Sequence, residues 1–171
     1  MVGVGGSGKQ SCARMASFIA GYIVEGLKIE KNYSITDLDV DLRRIYRLAG
    51  IQEKGISFLF TDNDVKEEIF LERLNNLLTM GEIPSLYNRE DRDEILGKIR
   101  PLFKKKMRRG ESDTADAQWA FFLQNAKNNL HILLCFSPVG EKFRNRARKF
   151  PGLISGCTID WFLPWTKAAL E

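Results

Sequence analysis

Gly3-Val4-Gly5-Gly6-Ser7-Gly8-Lys9 has the spacing G-x-x-x-x-G-K near the start of a 171-residue chain. Glycines let successive backbone N–H groups turn to one side, and a lysine directly behind them adds a mobile ammonium. Together these groups suit the oxygens of a phosphate chain. Helix-forming sequence begins immediately after Lys9, so a helix N-terminus would aim its positive end at the same place. Gly3, Val4, Gly5, Gly6, Ser7, Gly8, Lys9, Gln10 and Ser11 are therefore the candidate phosphate-binding segment. A glycine-rich terminus that is merely flexible would not need to run straight into a helix.

One position departs from the pattern. Gln10 stands where a Ser or Thr hydroxyl would hold magnesium, and Ser11 is displaced by one residue. A glutamine amide oxygen can still meet a metal or its water, with altered geometry, so the change disturbs metal placement more than phosphate binding. A second carboxylate-bearing segment follows. Phe58-Leu59-Phe60-Thr61-Asp62 is an apolar run ending in an acid, the arrangement that places Asp62 in a magnesium shell beside Gln10. Where a hydrolytic site would carry a glutamate to activate water, Asn63 stands instead, and an amide is no general base. Asp64, Glu67 and Glu68 are read as solvent-facing at the start of the next helix. The expectation is slow or absent hydrolysis.

Two further segments complete the set. Leu130 to Phe136 reads as a buried strand that begins at His131 and its neighbour and ends in Ser137-Pro138-Val139-Gly140. Ser137 either faces a terminal phosphate as a sensor or belongs to an ordinary strand-to-helix turn, which Ser-Pro also favours. Arg144, Arg146 and Arg148 form a basic group before Phe150-Pro151. In a ring of phosphate-binding modules an arginine here reaches a neighbour's phosphate, and Arg144 and Arg146 are the candidates; the alternative is a solvated helix face.

The elements that must position these groups can be read from periodicity. Cys12, Met15, Ala16, Ile19 and Ala20 recur at helical spacing between Gly8 and Gly21, and Tyr22 to Ile29 suits a strand. Thr36 and Asp39 form a helix-start signature ahead of the face Leu38, Leu42, Ile45, Tyr46 and Ala49, with Gly50 as the stop. Ile56 to Phe60 reads as a strand covered on both faces, Val65 to Met80 as a helix closing at Gly81, Glu141 to Lys149 as a short basic helix and Cys157 to Phe162 as a last strand. Such alternation predicts a parallel sheet between helices. It breaks down between Pro84 and Asn129. There Asn88 to Lys106 is charged and partly helical, Arg108 to Asp116 loop-like and Trp119 to Ala126 helical, so residues 85–129 read as an insertion between the third helix and fourth strand.

Composition narrows the remaining classes. The formal charge of +4 is mild, and the run Lys104 to Arg109 lacks aromatic interleaving and has Glu90 to Glu94 nearby, so it reads as a solvated surface and not a nucleic-acid site. Cys12, Cys135 and Cys157 form no CxxC pair and read as reduced core residues, and the single histidine leaves too few zinc ligands. No apolar run has bilayer length and no secretory leader is visible, which excludes a membrane role and points to the cytoplasm. Trp161, Phe162, Leu163 and Trp165 read as packing residues, in the core or against a following domain. Only Met1 and Val2 precede Gly3, where a full buried strand is customary, so residues 1–171 read as a fragment with its first strand truncated.

Taken in order, Gly3 to Ser11, Phe58 to Asp62, Leu74-Asn75-Asn76-Leu77-Leu78 with Gly81-Glu82-Ile83-Pro84, Leu130-His131-Ile132, Ser137-Pro138-Val139-Gly140, Phe143-Arg144-Asn145-Arg146, Phe150-Pro151 and Cys157-Thr158-Ile159-Asp160-Trp161-Phe162 resemble the fourth AAA+ module of dynein heavy chains. Gln10 and the absent glutamate look more axonemal than cytoplasmic. The resemblance implies the large α/β subdomain of a P-loop NTPase of the AAA+ class, a three-layer sandwich with parallel sheet order 5-1-4-3-2. It also implies ATP or ADP with Mg2+, a regulatory site in a ring of six modules, and microtubule contact through a stalk outside this chain. Neighbouring modules of the same heavy chain would be partners, with intermediate and light chains at the level of the complex, in the axoneme of a cilium or flagellum. Two other readings stand beside it: a separate phosphotransferase or NTPase, and a structural module whose pocket no longer takes nucleotide.

Overall fold

A computed structural model describes residues 1–107 and 112–170 of the chain. The elements run β1 (Val2–Gly3), α1 (Lys9–Ile19), β2 (Ile23–Gly26), α2 (Ile35–Gly50), β3 (Ile56–Thr61), a 3-10 turn (Asp62–Asp64), α3 (Glu68–Met80), α4 (Arg89–Lys106), α5 (Ala115–Asn129), β4 (Leu130–Cys135), α6 (Glu141–Lys149), α7 (Gly152–Ser155), β5 (Trp161–Phe162) and α8 (Lys167–Leu170). Among the described residues all strand pairings are parallel, as the alternation predicts. They form a β2-β3-β4 ladder and a β1-β5 ladder, with a single parallel bridge from Val2 to Phe136 between them. The strands therefore form two ladders that meet only at this bridge, where β1 lies beside the residue that follows β4. The cause is the shortness of β1 and β5, which pair over only Val2–Trp161 and Gly3–Phe162.

The core is built around β3. Ile56, Phe58 and Phe60 are fully buried, as expected of a strand covered on both faces, and each such side chain contributes roughly 1.5–3 kcal/mol. The face Leu38, Leu42, Ile45, Tyr46 and Ala49 of α2 is buried throughout. Its start differs from expectation: the box is Ser34 with Asp37, where the Ser34 amide donates to Asp37 Oδ2 at 2.9 Å. Thr36 and Asp39 overlap that signature by two residues, but Ser34 is the one in extended conformation (φ −114°). Asp39 instead accepts both the Nε and Nη2 of Arg73 at 3.1 Å, tying α2 to α3.

Gly50 is helical and does not end α2 by a left-handed turn. A Cβ there would lie 2.5 Å from Phe122 Cε2, so the glycine is required by the close crossing of α5. Asn125 and Asn129 of α5 donate to the carbonyls of Gly50 (3.3 Å) and Ala49 (3.1 Å), satisfying acceptors that a helix C-terminus leaves open. Gly81, by contrast, has φ 76° and closes α3 as expected.

Residues 85–129 are more helical than the sequence suggests. α4 continues through Pro101, and its stripe Ile95, Ile99 and Phe103 is buried. Arg47 pairs with Asp91 (3.1 Å) and Glu94 (2.8 Å), so the acidic segment anchors α4 on α2. Lys104 pairs with Asp113 at 3.4 Å and Lys106 with Glu53. Residues 108–111, which include part of the basic run and of the expected loop, lie outside the described residues.

Helix α1 reverses its expected orientation. Ala13 and Ser17 are buried, whereas Met15, Phe18 and Ile19 are 62%, 84% and 78% exposed. Small side chains let this helix lie close on the strands, and the larger ones project away. Of the cysteines, Cys135 is buried, Cys157 partly so and Cys12 exposed; all three are free. His131 is half-buried and stacks on Tyr22 at 4.8 Å. Trp161, Leu163 and Trp165 are exposed, so the expected packing of this stretch into the core is not seen. Among the described residues no helix is long and apolar enough to cross a membrane.

Candidate functional site

The C-terminal ends of β3 and β4 face the turn before α1 across a cleft of about 520 Å³. Gly5 to Ser11 line one side, and Thr61, Asp62, Asn63, Cys135 and Ser137 the other. The helix opens at Gly8, whose φ of 85° is glycine's region. Cys12 donates the first helical bond, to Gly8 O at 2.9 Å, so the amides of Lys9, Gln10 and Ser11 precede the ladder and stand at the positive end of α1. Gly5 and Gly6 have nothing within 4 Å of where a Cβ would stand, which leaves the loop open to a ligand.

Gly3 and Val4 serve differently from the other loop residues. A Cβ on Gly3 would lie 2.6 Å from Phe162 O, so this glycine admits β5 against β1. Both carbonyls accept from Lys9 Nζ at 2.7 Å, and Ser7 Oγ accepts at 3.2 Å. Ser7 is itself buried and donates to Val4 O at 2.8 Å. The ammonium is thus cradled by oxygens of its own loop, within reach of the cleft. These features fit a chain of phosphates: free helix amides, a cation and an open loop.

The metal side of the cleft does not fit magnesium as it is arranged. Asp62 Oδ1 accepts Arg146 Nη1 at 2.6 Å, and Asp62 Oδ2 accepts the Ser137 amide at 2.6 Å. Both oxygens expected to serve a metal shell are engaged. Gln10 lines the cleft from an exposed position. Among the described residues no group of three His, Cys, Asp or Glu side chains could hold a metal ion. Magnesium requires near-octahedral oxygen ligands and sheds water reluctantly, so a single carboxylate already neutralised by a guanidinium is a poor starting point.

The remaining candidates separate by position. Asn63 is exposed at the cleft, with no acid in place of the missing glutamate. Asp64 does not face solvent as expected: its Oδ2 accepts the Thr61 amide (2.7 Å) and hydroxyl (2.8 Å), capping the turn after β3. Glu68 pairs with Lys149. Ser137 lines the cleft, but its hydroxyl accepts the Val139 amide at 3.4 Å, which is the local turn of the alternative reading. Arg146, expected to reach outward, folds back with its side chain only 16% exposed and its guanidinium 5.7 Å from the Phe136 ring centre. Arg144 and Arg148 lie on the exposed side of α6. Burial pushes the Cys135 thiol above its ordinary pKa, which keeps it a neutral wall of the cleft.

One residue at the site carried no sequence signal of its own. Trp165 Nε1 donates to Gly6 O at 3.1 Å, and a Cβ on Gly8 would lie 3.5 Å from its Cζ2. The two partners are separated by most of the chain, so only the fold brings them together.

The whole chain, residues 1–171, matches the family model described as P-loop containing dynein motor region D4. It is 55% identical over 170 residues to dynein axonemal heavy chain 5 of Mus musculus, covering 99% of this chain and 4% of that protein. It is 51% identical to dynein axonemal heavy chain 8 of Homo sapiens and 47% identical to the dynein gamma chain of the flagellar outer arm of Chlamydomonas reinhardtii, with the same shares covered. The chain thus spans about 4% of the length of these relatives.

Proposed function

Because the chain belongs to the family of P-loop containing dynein motor region D4, we propose that it is the nucleotide-binding large subdomain of the fourth AAA+ module of a dynein heavy chain, with a regulatory ATP or ADP site and little or no hydrolysis. The observation that carries this reading is the open glycine loop, with Lys9 and the first-turn amides of α1 converging on one cleft. Backbone amides and an ammonium hold a diphosphate or triphosphate by charge-assisted hydrogen bonds. Asn63 supports the absence of turnover: it can orient water but cannot take its proton.

In the parent motor the two ladders would belong to one sheet in the order 5-1-4-3-2, with residues 85–129 as an insertion on its helical layer. Exposed Met15, Phe18, Ile19, Trp161 and Leu163 supply apolar surface of the kind a neighbouring module of the same heavy chain covers. Arg144 and Arg148, on the open side of α6, are the arginines placed to approach such a neighbour. The parent's function would be ATP-driven, minus-end-directed movement along microtubules in the axoneme of a cilium or flagellum. Microtubule contact would be made through its stalk, and intermediate and light chains would join at the level of the complex.

Calorimetric titration of the chain with ADP and ATP, followed by single-turnover assays, tests the proposal. Saturable binding of both, with phosphate release no faster than the non-enzymatic background, is the expected result. Rapid ATP cleavage that mutation of this cleft abolishes would defeat the regulatory reading.

Trp165 provides an optical check on where nucleotide goes. Phosphates entering the loop alter the surroundings of the Gly6 carbonyl, and the indole bound to it responds. Adding ADP is expected to change tryptophan emission, and Trp165→Phe to remove that change although Trp119 and Trp161 remain. An undiminished response in the variant would place the ligand elsewhere.

A further inference from the structure

Resting on the nucleotide reading of this cleft, we infer that Arg146 takes the electrostatic role of the metal, so that the ligand form this site selects is the metal-free nucleotide. The inference starts from Asp62. Its carboxylate lies at the end of β3 where a cation is to be held, and a cation is already held there: the Arg146 guanidinium, at 2.6 Å from Oδ1. The second oxygen is held at 2.6 Å by the Ser137 amide. Arg146 lies against the Phe136 ring and is not among the residues that line the cleft beside Gly5–Ser11, so the pair can persist while phosphates occupy that side.

The charge of Asp62 is thus already paired with a guanidinium. Seating Mg2+ on Asp62 would require breaking a charge-assisted bond and placing a dication beside a fixed monocation, both unfavourable. The hydroxyl that would compensate is missing, because Gln10 occupies its position. Lys9 and the α1 amides meanwhile need no metal to hold phosphate oxygens. Magnesium then competes with the protein for the nucleotide in solution and does not bridge the two.

The test is calorimetric titration of the full chain with ADP, once with excess MgCl2 and once with EDTA. The same pair of titrations is made on Arg146→Gln, which frees Asp62, and on Arg146→Lys, which keeps a cation beside it. The wild-type chain is expected to bind more tightly in EDTA than in excess MgCl2, which withdraws free ADP, and Arg146→Gln to bind about tenfold more tightly with MgCl2 than without. Arg146→Lys should follow the wild type. A wild-type affinity that falls about tenfold or more in EDTA overturns the inference even if no variant folds, because it shows magnesium bound between protein and nucleotide. Metal-independent binding by a folded Arg146→Gln also overturns it, since Arg146 would then not be what excludes the metal. Absence of ADP binding in both media overturns the nucleotide reading and this inference together, whereas tight binding that needs magnesium overturns this inference alone.

Discussion

Lys9→Ala lowers the affinity of the chain for ADP by about 100-fold or more, while leaving the melting temperature of the unliganded protein within a few degrees. The first figure follows from what the ammonium is placed to do. A hydrogen bond between charged groups contributes about 1.5–3 kcal/mol, and an ammonium that meets oxygens of two phosphates makes at least one such bond to each. Without ligand, Lys9 Nζ is held by the carbonyls of Gly3 and Val4 and by Ser7 Oγ. These are local contacts at the rim of the cleft, outside the main core around β3. Their loss loosens the loop without opening the fold. Calorimetry and a thermal melt on the same sample check both halves. Unchanged ADP affinity in the variant would mean that the loop does not hold the phosphates, and a melt lowered by ten degrees or more would mean that Lys9 is structural. Lys9→Arg should bind weakly as well. A planar fork cannot be cradled by the two carbonyls as a compact ammonium is, although the charge is preserved.

That prediction could be framed from sequence because the relevant residues are neighbours along the chain. Gly3 to Ser11 is one contiguous segment, and its spacing carries both the loop and the helix that follows it. The same holds for β3, whose unbroken apolar run leads directly to Asp62, and for the α2 face, whose helical repeat is complete within its own residues. What the sequence could not show is set by contacts across the chain. Arg146 is 84 residues from Asp62, and a basic helix of alternating arginines gives no sign of which one turns inward. Helix α1 carries apolar residues on more than one side. Periodicity selects the bulkier side, whereas close approach to the strands selects the side with Ala13 and Ser17. In α4, Pro101 and a dense run of charge suppress the helical signal, yet every fourth residue from Ile95 to Phe103 is buried. Gly50 illustrates the limit most clearly. Its position at the end of a helix invites a capping explanation, and the actual reason is a ring from a helix about 70 residues away.

That ring is the basis of the largest expected loss of stability. Phe122 is fully buried and touches the aromatic groups of Trp119, Tyr87 and Tyr46, with ring centres 5.2, 6.1 and 6.5 Å away. Phe122→Ala removes this contact set and leaves a cavity between α2 and α5, at a cost of about 3–5 kcal/mol. For a domain of this size that corresponds to a fall in melting temperature of roughly 10 °C. Gly50→Ala should also destabilise the protein, by about 1–3 kcal/mol, because its new methyl would stand 2.5 Å from Phe122 Cε2, a position the packed ring cannot yield without strain. In the Phe122→Ala background the same methyl enters vacated space. There alanine's better helix propensity, about 1 kcal/mol over glycine, is opposed only by the backbone oxygen at position 122, 3.1 Å from the added carbon. The double variant is therefore expected to be more stable than Phe122→Ala alone, a reversal of sign and not merely incomplete additivity. Urea unfolding of the four proteins, with comparable slopes to keep the free energies comparable, measures the coupling. If Gly50→Ala costs the same in both backgrounds, the glycine is required by something other than the ring that faces it. The remaining contact of that crossing, a backbone oxygen of Phe122 at 3.1 Å from the added carbon, would then be the group that cannot move.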